Sequence, residues 1–381
     1  MVKARHGFQI FVKPTGSICN LGCRYCYYLE KEQLYPEDES FKMQETILEN
    51  YIKQHIEACP DDTITFSWHG GEPTILGLDY FIRIVELQQK HKPRDKTILN
   101  GIQTNGTLLD DEWCRFFAKE GFAVGISIDG PKELHDKFRV TKDQRPTFDQ
   151  VIRGYSLLKK HGVYTDVLCV VNSVNVQQPH AVYRFFKEIN AQYITFLPCV
   201  DPEPDNENGV SDLSVPSEAW GRFLCTVFDE WVRADIGKVK VQIFEEATRT
   251  AFNQEHSLCI FRPTCGDIPV IEHNGDFYIC DHYVTPTHLI GNIQQTPLVE
   301  MLESPAQRAF GENKQTSLPR ICLECSVLEM CNGECPKNRF IDTPDGEHGL
   351  NYLCTGYKLF FTHIQPFISA VTAQWEKQGK D

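Results

Sequence analysis

Short apolar runs alternate with longer amphipathic segments along the first two hundred residues. Runs such as 8–13, 63–68 and 123–130 have the length of buried strands, whereas 43–58 and 78–91 repeat apolar residues every three or four positions, as one face of a helix does. Six such strands with five helices between them predict parallel strand–helix–strand units. We therefore expect an α/β fold, either an open doubly wound sheet or a partial barrel, with ligands at the carboxyl ends of the strands.

The pattern changes after residue 200. Residues 201–218 are rich in Pro, Asp, Asn and Ser, and 219–237 again have helical spacing. From about residue 255 the chain has short strands, a hairpin signal at Asn274-Gly275 and dense cysteines, which predicts a small domain that needs metal to stabilise it. We place the larger domain at residues 1–235 and the small domain, with a C-terminal helix, at 236–381.

Composition narrows the class of protein. The 381 residues are 41% hydrophobic, enough for a large core, and carry a formal net charge of −14. Without a run of Lys and Arg, this charge argues against a nucleic-acid partner. No apolar run has the length of a signal-peptide core or a membrane span, so we expect a cytoplasmic protein with no membrane partner.

The chemistry begins with three closely spaced thiols, Cys19, Cys23 and Cys26, directly after the first predicted strand. A structural zinc site or an ordinary iron–sulfur cluster takes four protein ligands. Three ligands therefore predict a metal centre with one open coordination position. A disulfide framework is the alternative, but such frameworks are typical of small secreted proteins.

A second group of cysteines occupies the C-terminal region, enough for two complete four-ligand sites. Its members are Cys259, Cys265, Cys280, Cys322, Cys325, Cys331, Cys335 and Cys354. Zinc is the structural alternative for such sites, and we favour iron–sulfur because an open three-cysteine centre accompanies them. The five remaining cysteines stand singly inside predicted helices or strands and are expected to be buried structural residues: Cys59, Cys114, Cys169, Cys199 and Cys225.

Two further strand ends carry polar candidates. The second strand is followed by His69 and then by the run Gly70, Gly71, Glu72 and Pro73. Paired glycines let a ligand approach the backbone, and the proline fixes the turn that could bind the ammonium of a zwitterion. Ser127 ends the fourth strand and Arg139 follows it, which offers a hydroxyl and a guanidinium for a carboxylate. An ordinary turn and a surface arginine are the structural alternatives.

Together these motifs resemble a known family. "CNLGCRYC" fits the CX3CX2C motif of radical S-adenosylmethionine (SAM) enzymes, "GGEP" fits their SAM-amino motif, and the C-terminal cysteines fit the SPASM domain, which binds two auxiliary [4Fe-4S] clusters. The spacing looks most like that of anaerobic sulfatase-maturating enzymes. The resemblance implies a partial (β/α)6 TIM-like barrel with a small C-terminal iron–sulfur domain.

The resemblance also implies the cofactors and the reaction. Cys19, Cys23 and Cys26 would hold a [4Fe-4S] cluster that binds SAM, while Gly70, Gly71, Glu72, Pro73, Ser127 and Arg139 would contact SAM. A 5′-deoxyadenosyl radical would start the oxidation of a Cys or Ser in an unfolded sulfatase to Cα-formylglycine. One auxiliary cluster would use Cys259, Cys265, Cys280 and Cys335, and the other Cys322, Cys325, Cys331 and Cys354. Reduced flavodoxin or ferredoxin is the implied electron donor.

The implied substrate site has three residues. Asp281 matches the family's general base and Tyr28 a pocket tyrosine, whereas His69 stands where the family commonly has glutamine. As a base, Asp281 would need a pKa raised by a dry pocket, and its structural alternative is a hairpin cap. The functional alternatives are a SPASM enzyme that crosslinks, epimerises or forms thioethers in another ribosomal peptide, and an iron–sulfur electron carrier without catalysis.

Overall fold

The protein is described by a computed structural model over residues 3–36, 40–206 and 209–378. Residues 207–208 of the predicted excursion, and the outermost residues of the two predicted domains, lie outside this description. The strands are β1 (Phe11–Lys13), β2 (Thr63–Trp68), β3 (Thr97–Thr104), β4 (Ala123–Ser127), β5 (Tyr164–Val171), β6 (Tyr193–Pro198), β7 (Lys240–Val241), β8 (Val270–Glu272), β9 (Asp276–Tyr278), β10 (Leu289–Asn292), β11 (Ile341–Asp342) and β12 (His348–Leu350).

The helices alternate with the first strands and then dominate the C-terminal part. They are α1 (Glu45–Ala58), α2 (Leu78–His91), α3 (Asp111–Glu120), α4 (Lys132–His135), α5 (Phe148–Lys160), α6 (Pro179–Glu188), α7 (Ser217–Ala234), α8 (Gln242–Arg249), α9 (Leu298–Leu302), α10 (Pro305–Thr316), α11 (Arg320–Leu323), α12 (Leu328–Cys331) and α13 (Cys354–Gln378). In the described residues, no helix is both long and apolar enough to cross a membrane.

The chain forms two compact units. The first contains Met1–Ser127, Asp136–Asp166 and Gly266–Gly311, and the second contains Ile128–His135, Val167–Cys265 and Glu312–Asp381.

In the first unit the strands are ordered β10-β9-β8-β1-β2-β3-β4. The pairs β1–β2, β2–β3, β3–β4 and β1–β8 are parallel, while the pairs β8–β9 and β9–β10 are antiparallel. The turn between β8 and β9 is built on Asn274 and Gly275, with φ of +90° at the glycine, so the predicted hairpin is confirmed. Strand β8 lies beside β1, and their register sets Lys13 opposite Glu272.

The second unit contains the parallel order β5-β6-β7 and the small antiparallel pair of β11 and β12. Its long helix α13 packs against α7 through two glycines. A Cβ added to Gly356 would lie 2.1 Å from the carbonyl oxygen of Ser217, and one added to Gly221 would lie 2.5 Å from the carbonyl oxygen of Gly356. Glycine at these two positions therefore permits the close crossing of the helices.

The six strands predicted from alternation are all present as β1 to β6, and the five intervening helices as α1, α2, α3, α5 and α6. The first strand is shorter than predicted, because pairing with β2 and β8 begins only at Phe11 and residues 8–10 precede it. The parallel α/β prediction is confirmed.

Candidate active site

The loop after β1 carries the three clustered thiols. The amide of Cys26 donates to the carbonyl of Cys23 at 3.1 Å, and the amide of Leu21 donates to Cys19 Sγ at 3.3 Å. Burial, then the charges of Glu72, Cys23 and Cys26, raise the pKa of Cys19 to about 12. With this pKa, Cys19 loses its proton near pH 7 only when a bound cation stabilises the thiolate. The loop therefore fits an iron–sulfur cluster.

The glycine pair after β2 lies against this loop. The amide of Gly71 donates to the carbonyl of Gly16 at 2.7 Å. A Cβ on Gly71 would lie 2.1 Å from the carbonyl oxygen of Ile18, and Gly70 has φ of +148°. Glycine is thus required because the backbone itself approaches the cysteine loop, and Pro73 begins the short 3₁₀ turn that follows.

Glu72 lies fully buried beneath the same loop. Its Oε1 accepts from the amide and hydroxyl of Thr74, at 3.1 and 2.6 Å, and from the hydroxyl of Thr104 at 2.7 Å; its Oε2 accepts from the amide of Asn105 at 2.6 Å. Asn105 in turn donates to Asn20 at 2.8 Å. Burial raises the pKa of Glu72 against the opposing effect of these bonds. The Glu72 carboxylate therefore connects the ends of β2 and β3, and Asn105 connects them to the cysteine loop through Asn20.

Ser127 and Arg139 also belong to the first unit. Ser127 Oγ accepts from Gln103 Nε2 at 3.1 Å. The buried Arg139 guanidinium stands 5.5 Å from the ring centre of Tyr25, which directly precedes Cys26. Their assignment to SAM stays a prediction.

Asp281 lies in a buried ion pair. Lys13 Nζ stands 2.6 Å from its Oδ1, and the Tyr27 hydroxyl donates to its Oδ2 at 2.5 Å. Burial alone would raise the pKa of Asp281, but Lys13, His282 and the Tyr27 hydrogen bond outweigh it and hold that pKa below its ordinary value. The direction is opposite to the expected one, because the sequence did not show that a buried lysine faces the carboxylate. Asp281 is therefore ionised near pH 7, but its lowered pKa makes it a weaker base than the one the sequence analysis required.

Tyr28 hydrogen-bonds a different carboxylate, that of Glu272. Its ring packs under Lys13 Nζ, 3.9 Å from the ring centre, and its hydroxyl donates to Glu272. Tyr28 is buried, whereas the ring of Tyr27 is half exposed. The sequence analysis missed Lys13, Tyr27 and Glu272, and the only signal for them was their position beside a cysteine motif or at a strand end.

His69 stacks on Phe11, with ring centres 4.0 Å apart and planes 17° apart. Burial, and next the charge of Lys13, lower the pKa of His69 to about 3. The imidazole is therefore neutral near pH 7, so it can offer one hydrogen-bond donor and one acceptor, as the amide of a glutamine does.

The second unit holds most of the C-terminal thiols. A cavity of about 620 Å³ is lined by Cys322, Cys325, Cys331 and Cys354 together with apolar Val327 and Leu350. Cys259, Cys265 and Cys335 share the electrostatic surroundings of a buried lysine, Lys314. Cys280 belongs to the first unit.

The sixteen cysteines all lie within the described residues and form no disulfide there, so the disulfide alternative is wrong. In the described residues no three His, Cys, Asp or Glu side chains gather tightly enough for a single ion, whereas the ligands of a cluster bind different irons. A shared apolar cavity lined by four thiols fits such a cluster.

Comparison with known proteins identifies both cysteine regions. Residues 14–186 match the model of the radical SAM superfamily, and residues 259–326 match the SPASM iron–sulfur cluster-binding domain. A serine-type anaerobic sulfatase-maturating enzyme of Bacteroides thetaiotaomicron is 46% identical over 94% of this chain and 90% of its own length. A cysteine-type enzyme of Clostridium perfringens is 33% identical over 94% of this chain and 96% of its own length.

Comparison with solved structures shows the same family similarity. A structure of native anSMEcpe with bound AdoMet superposes with a TM-score of 0.88 at 32% identity, covering 96% of this chain and 99% of that one. The same protein with bound AdoMet and the Cp18Cys peptide gives 0.87 at 32% identity, covering 97% and 99%. The predicted fold class, a radical SAM fold with a C-terminal SPASM domain, is confirmed.

Proposed function

This chain belongs to the anaerobic sulfatase-maturating enzymes of the radical SAM superfamily, and from this membership we propose that it oxidises a Cys or Ser of a sulfatase peptide to Cα-formylglycine. The observation that carries the proposal is the buried Asp281 carboxylate, held ionised by Lys13 and Tyr27 in the same unit as the CX3CX2C loop. A base is needed there because the target thiol or hydroxyl loses its proton during oxidation.

The cofactors are SAM and three [4Fe-4S] clusters, and the thiols and charges described above fit them. Cys19, Cys23 and Cys26 would hold the cluster that binds SAM. When bound, SAM and this cluster together supply the hydrogen abstraction that no side chain can perform. The auxiliary clusters would take the two C-terminal cysteine sets implied by the family pattern.

The remaining steps, which are binding, orientation and proton transfer, are assigned to residues of the protein. Gly71 brings the end of β2 against the cysteine loop, and Glu72 fixes that end by accepting four hydrogen bonds. Asp281 would accept the proton of the target side chain at its carboxylate, and Tyr27 and Lys13 orient that carboxylate. The neutral His69 would hydrogen-bond the peptide. Ser127 and Arg139 would contact SAM.

The proposal also covers the domain boundary, the partners and the cellular compartment of the protein. Its domains would divide at residue 235, which lies between the segments that match the two family models. Its partners would be an unfolded sulfatase segment and a reduced flavodoxin or ferredoxin as electron donor. It would act in the cytoplasm, where free thiols remain reduced.

The test is anaerobic incubation of the iron-reconstituted, reduced protein with SAM and two synthetic sulfatase peptides that differ only in Cys or Ser at the target position. Formylglycine lowers the peptide mass by about 18 Da from cysteine and about 2 Da from serine, with 5′-deoxyadenosine released alongside. Cleavage of SAM with both peptides unchanged would contradict the sulfatase substrate but not the radical chemistry.

The substitution Asp281→Asn tests whether Asp281 is the general base. This variant should still release 5′-deoxyadenosine and lose peptide oxidation by roughly 10²-fold or more, the ordinary range for general-base catalysis. Asp276→Asn is the matched control, because Asp276 is a carboxylate on the same hairpin that bonds Asn274 and Asn292. Undiminished aldehyde formation in Asp281→Asn would remove Asp281 from the mechanism.

A further inference from the structure

A buried ammonium lies among the thiols of the second unit. Lys314, on α10, is fully buried, and its Nζ stands 2.7, 2.8 and 2.5 Å from the carbonyl oxygens of Cys259, Ile260 and Arg262. An ammonium has three N–H donors and a neutral amine has two. Three acceptors therefore assign the charged form, and these acceptors are carbonyls, which leave the net positive charge in place.

A buried guanidinium lies next to it. Arg339 donates through Nε to Gly333 at 2.9 Å, through Nη1 to the carbonyl of Lys314 at 2.5 Å, and through Nη2 to Asn332 and Glu334 carbonyls at 2.9 and 3.1 Å. An arginine is charged at any physiological pH. The backbone of Lys314 thus links the two cations directly.

The two cations lie near partly different sets of thiols, and Cys335 is common to both sets. The charge of Lys314 acts on Cys259, Cys265 and Cys335, while that of Arg339 acts on Cys322, Cys331 and Cys335. Each cysteine set implied by the family pattern therefore has members close to at least one of these buried cations.

A buried carboxylate opposes these two cations. Glu334 is buried, and its Oε2 accepts from the amides of Asn338 and Asn351 at 3.0 and 2.7 Å. Its charge acts on the neighbouring thiols Cys331 and Cys335. Lys314 and Arg339 therefore bring buried positive charge close to the thiols, and Glu334 brings buried negative charge there.

We propose that Lys314 and Arg339 raise the reduction potentials of the auxiliary clusters, against the opposing charge of Glu334, so that these clusters serve as electron acceptors. A one-electron reduction adds one negative charge to a cluster, and a nearby buried cation stabilises that added charge. Such charges interact strongly because little water screens them in the interior. The inference rests on the proposed cluster binding.

The test is a reductive titration of the full-length, iron-reconstituted protein, followed by electron paramagnetic resonance at poised potentials. The background carries Cys19→Ala, Cys23→Ala and Cys26→Ala, so that only the auxiliary clusters contribute. Lys314→Met should lower one potential by a shift equal to about a tenfold change in the equilibrium, which is about 59 mV for one electron. Glu334→Gln, which keeps the size of the side chain, should shift a potential in the opposite direction.

Lys358→Met is the matched control, since Lys358 lines the 620 Å³ cavity but is exposed. Loss of its solvent-screened charge should shift the potentials by less than half as much as Lys314→Met. Opposite shifts for the two buried variants support the proposal, because a purely structural role would not reverse its sign with the charge.

Iron analysis separates the possible failures. If the background protein binds far fewer than about eight irons, four for each cluster, the proposed clusters are wrong. If iron is complete and neither buried variant shifts a potential, the electrostatic inference alone is wrong. If Lys314→Met loses iron, Glu334→Gln decides: a raised potential supports the inference, and an unchanged one refutes it.

Discussion

Replacement of Glu72 by glutamine should weaken the apoprotein by removing one atom-specific interaction. The side chain is fully buried, and both carboxylate oxygens accept hydrogen bonds from the protein. A glutamine that keeps its oxygen at the Oε1 position retains the bonds from Thr74 and Thr104. Its NH₂ group then faces the amide N–H of Asn105, so two donors meet where a bond of 2.6 Å existed.

The magnitude follows from two opposing effects. A lost bond to a charged group and an unsatisfied buried N–H each cost about 1 to 3 kcal/mol. The neutral amide regains part of this cost because burial disfavours the charged carboxylate, as the raised pKa of Glu72 indicates. We therefore expect Glu72→Gln to lower the free energy of unfolding by about 2 kcal/mol.

Urea unfolding of the apoprotein at pH 7, followed by circular dichroism, measures this difference. Glu45→Gln is the control, because Glu45 pairs with Arg83 at 2.7 Å on the surface and such a pair contributes about 1 kcal/mol or less. If Glu72→Gln is no less stable than Glu45→Gln, the four hydrogen bonds do not organise the loop and the reasoning fails.

Three further predictions concern the first unit. Lys13→Met removes the lysine paired with the buried Asp281 carboxylate and should cost about 3 to 5 kcal/mol in urea unfolding; a loss below 1 kcal/mol would contradict the ion pair. His55 is buried with its pKa lowered to about 3 by desolvation, so its stabilising effect is complete above pH 6.5 and is lost as the pH falls; between pH 7.5 and 5 the wild type should lose about 2 kcal/mol more than His55→Phe. Equal losses would refute this. Gly71→Ala places a Cβ 2.1 Å from a carbonyl oxygen and should bind about four fewer irons per chain, the content of one cluster, whereas Gly101→Ala, whose Cβ would lie 3.8 Å from the nearest backbone oxygen, should keep its iron.

Sequence reasoning succeeded where the signal is local. Strand and helix periodicity identified β1 to β6, and the Asn274-Gly275 turn identified the β8–β9 hairpin. Thiol spacing identified the candidate cluster ligands without any alignment. Each of these features depends on residues close together in the chain.

The charged partners of Asp281 could not be found in this way. Lys13 is separated from Asp281 by most of the chain, and the two meet because β8 pairs with β1 in parallel. A lone lysine at a strand end carries no motif, and exposure to solvent is its usual state. Glu272, which accepts the hydrogen bond of Tyr28, could not be found for the same reason: it is distant from Tyr28 in the sequence and carries no motif.

The Lys13 ion pair is best explained by function. Burying two charges costs free energy that their attraction repays only in part, and apolar replacements of such pairs are often as stable. Yet Lys13 contacts two predicted substrate-site residues, through an ion pair with Asp281 and its position over the Tyr28 ring. It also ends β1, six residues before Cys19. One short strand therefore fixes both the proposed base and the start of the cysteine loop, so the distance between proton acceptor and cluster loop is set by the sheet rather than by flexible segments.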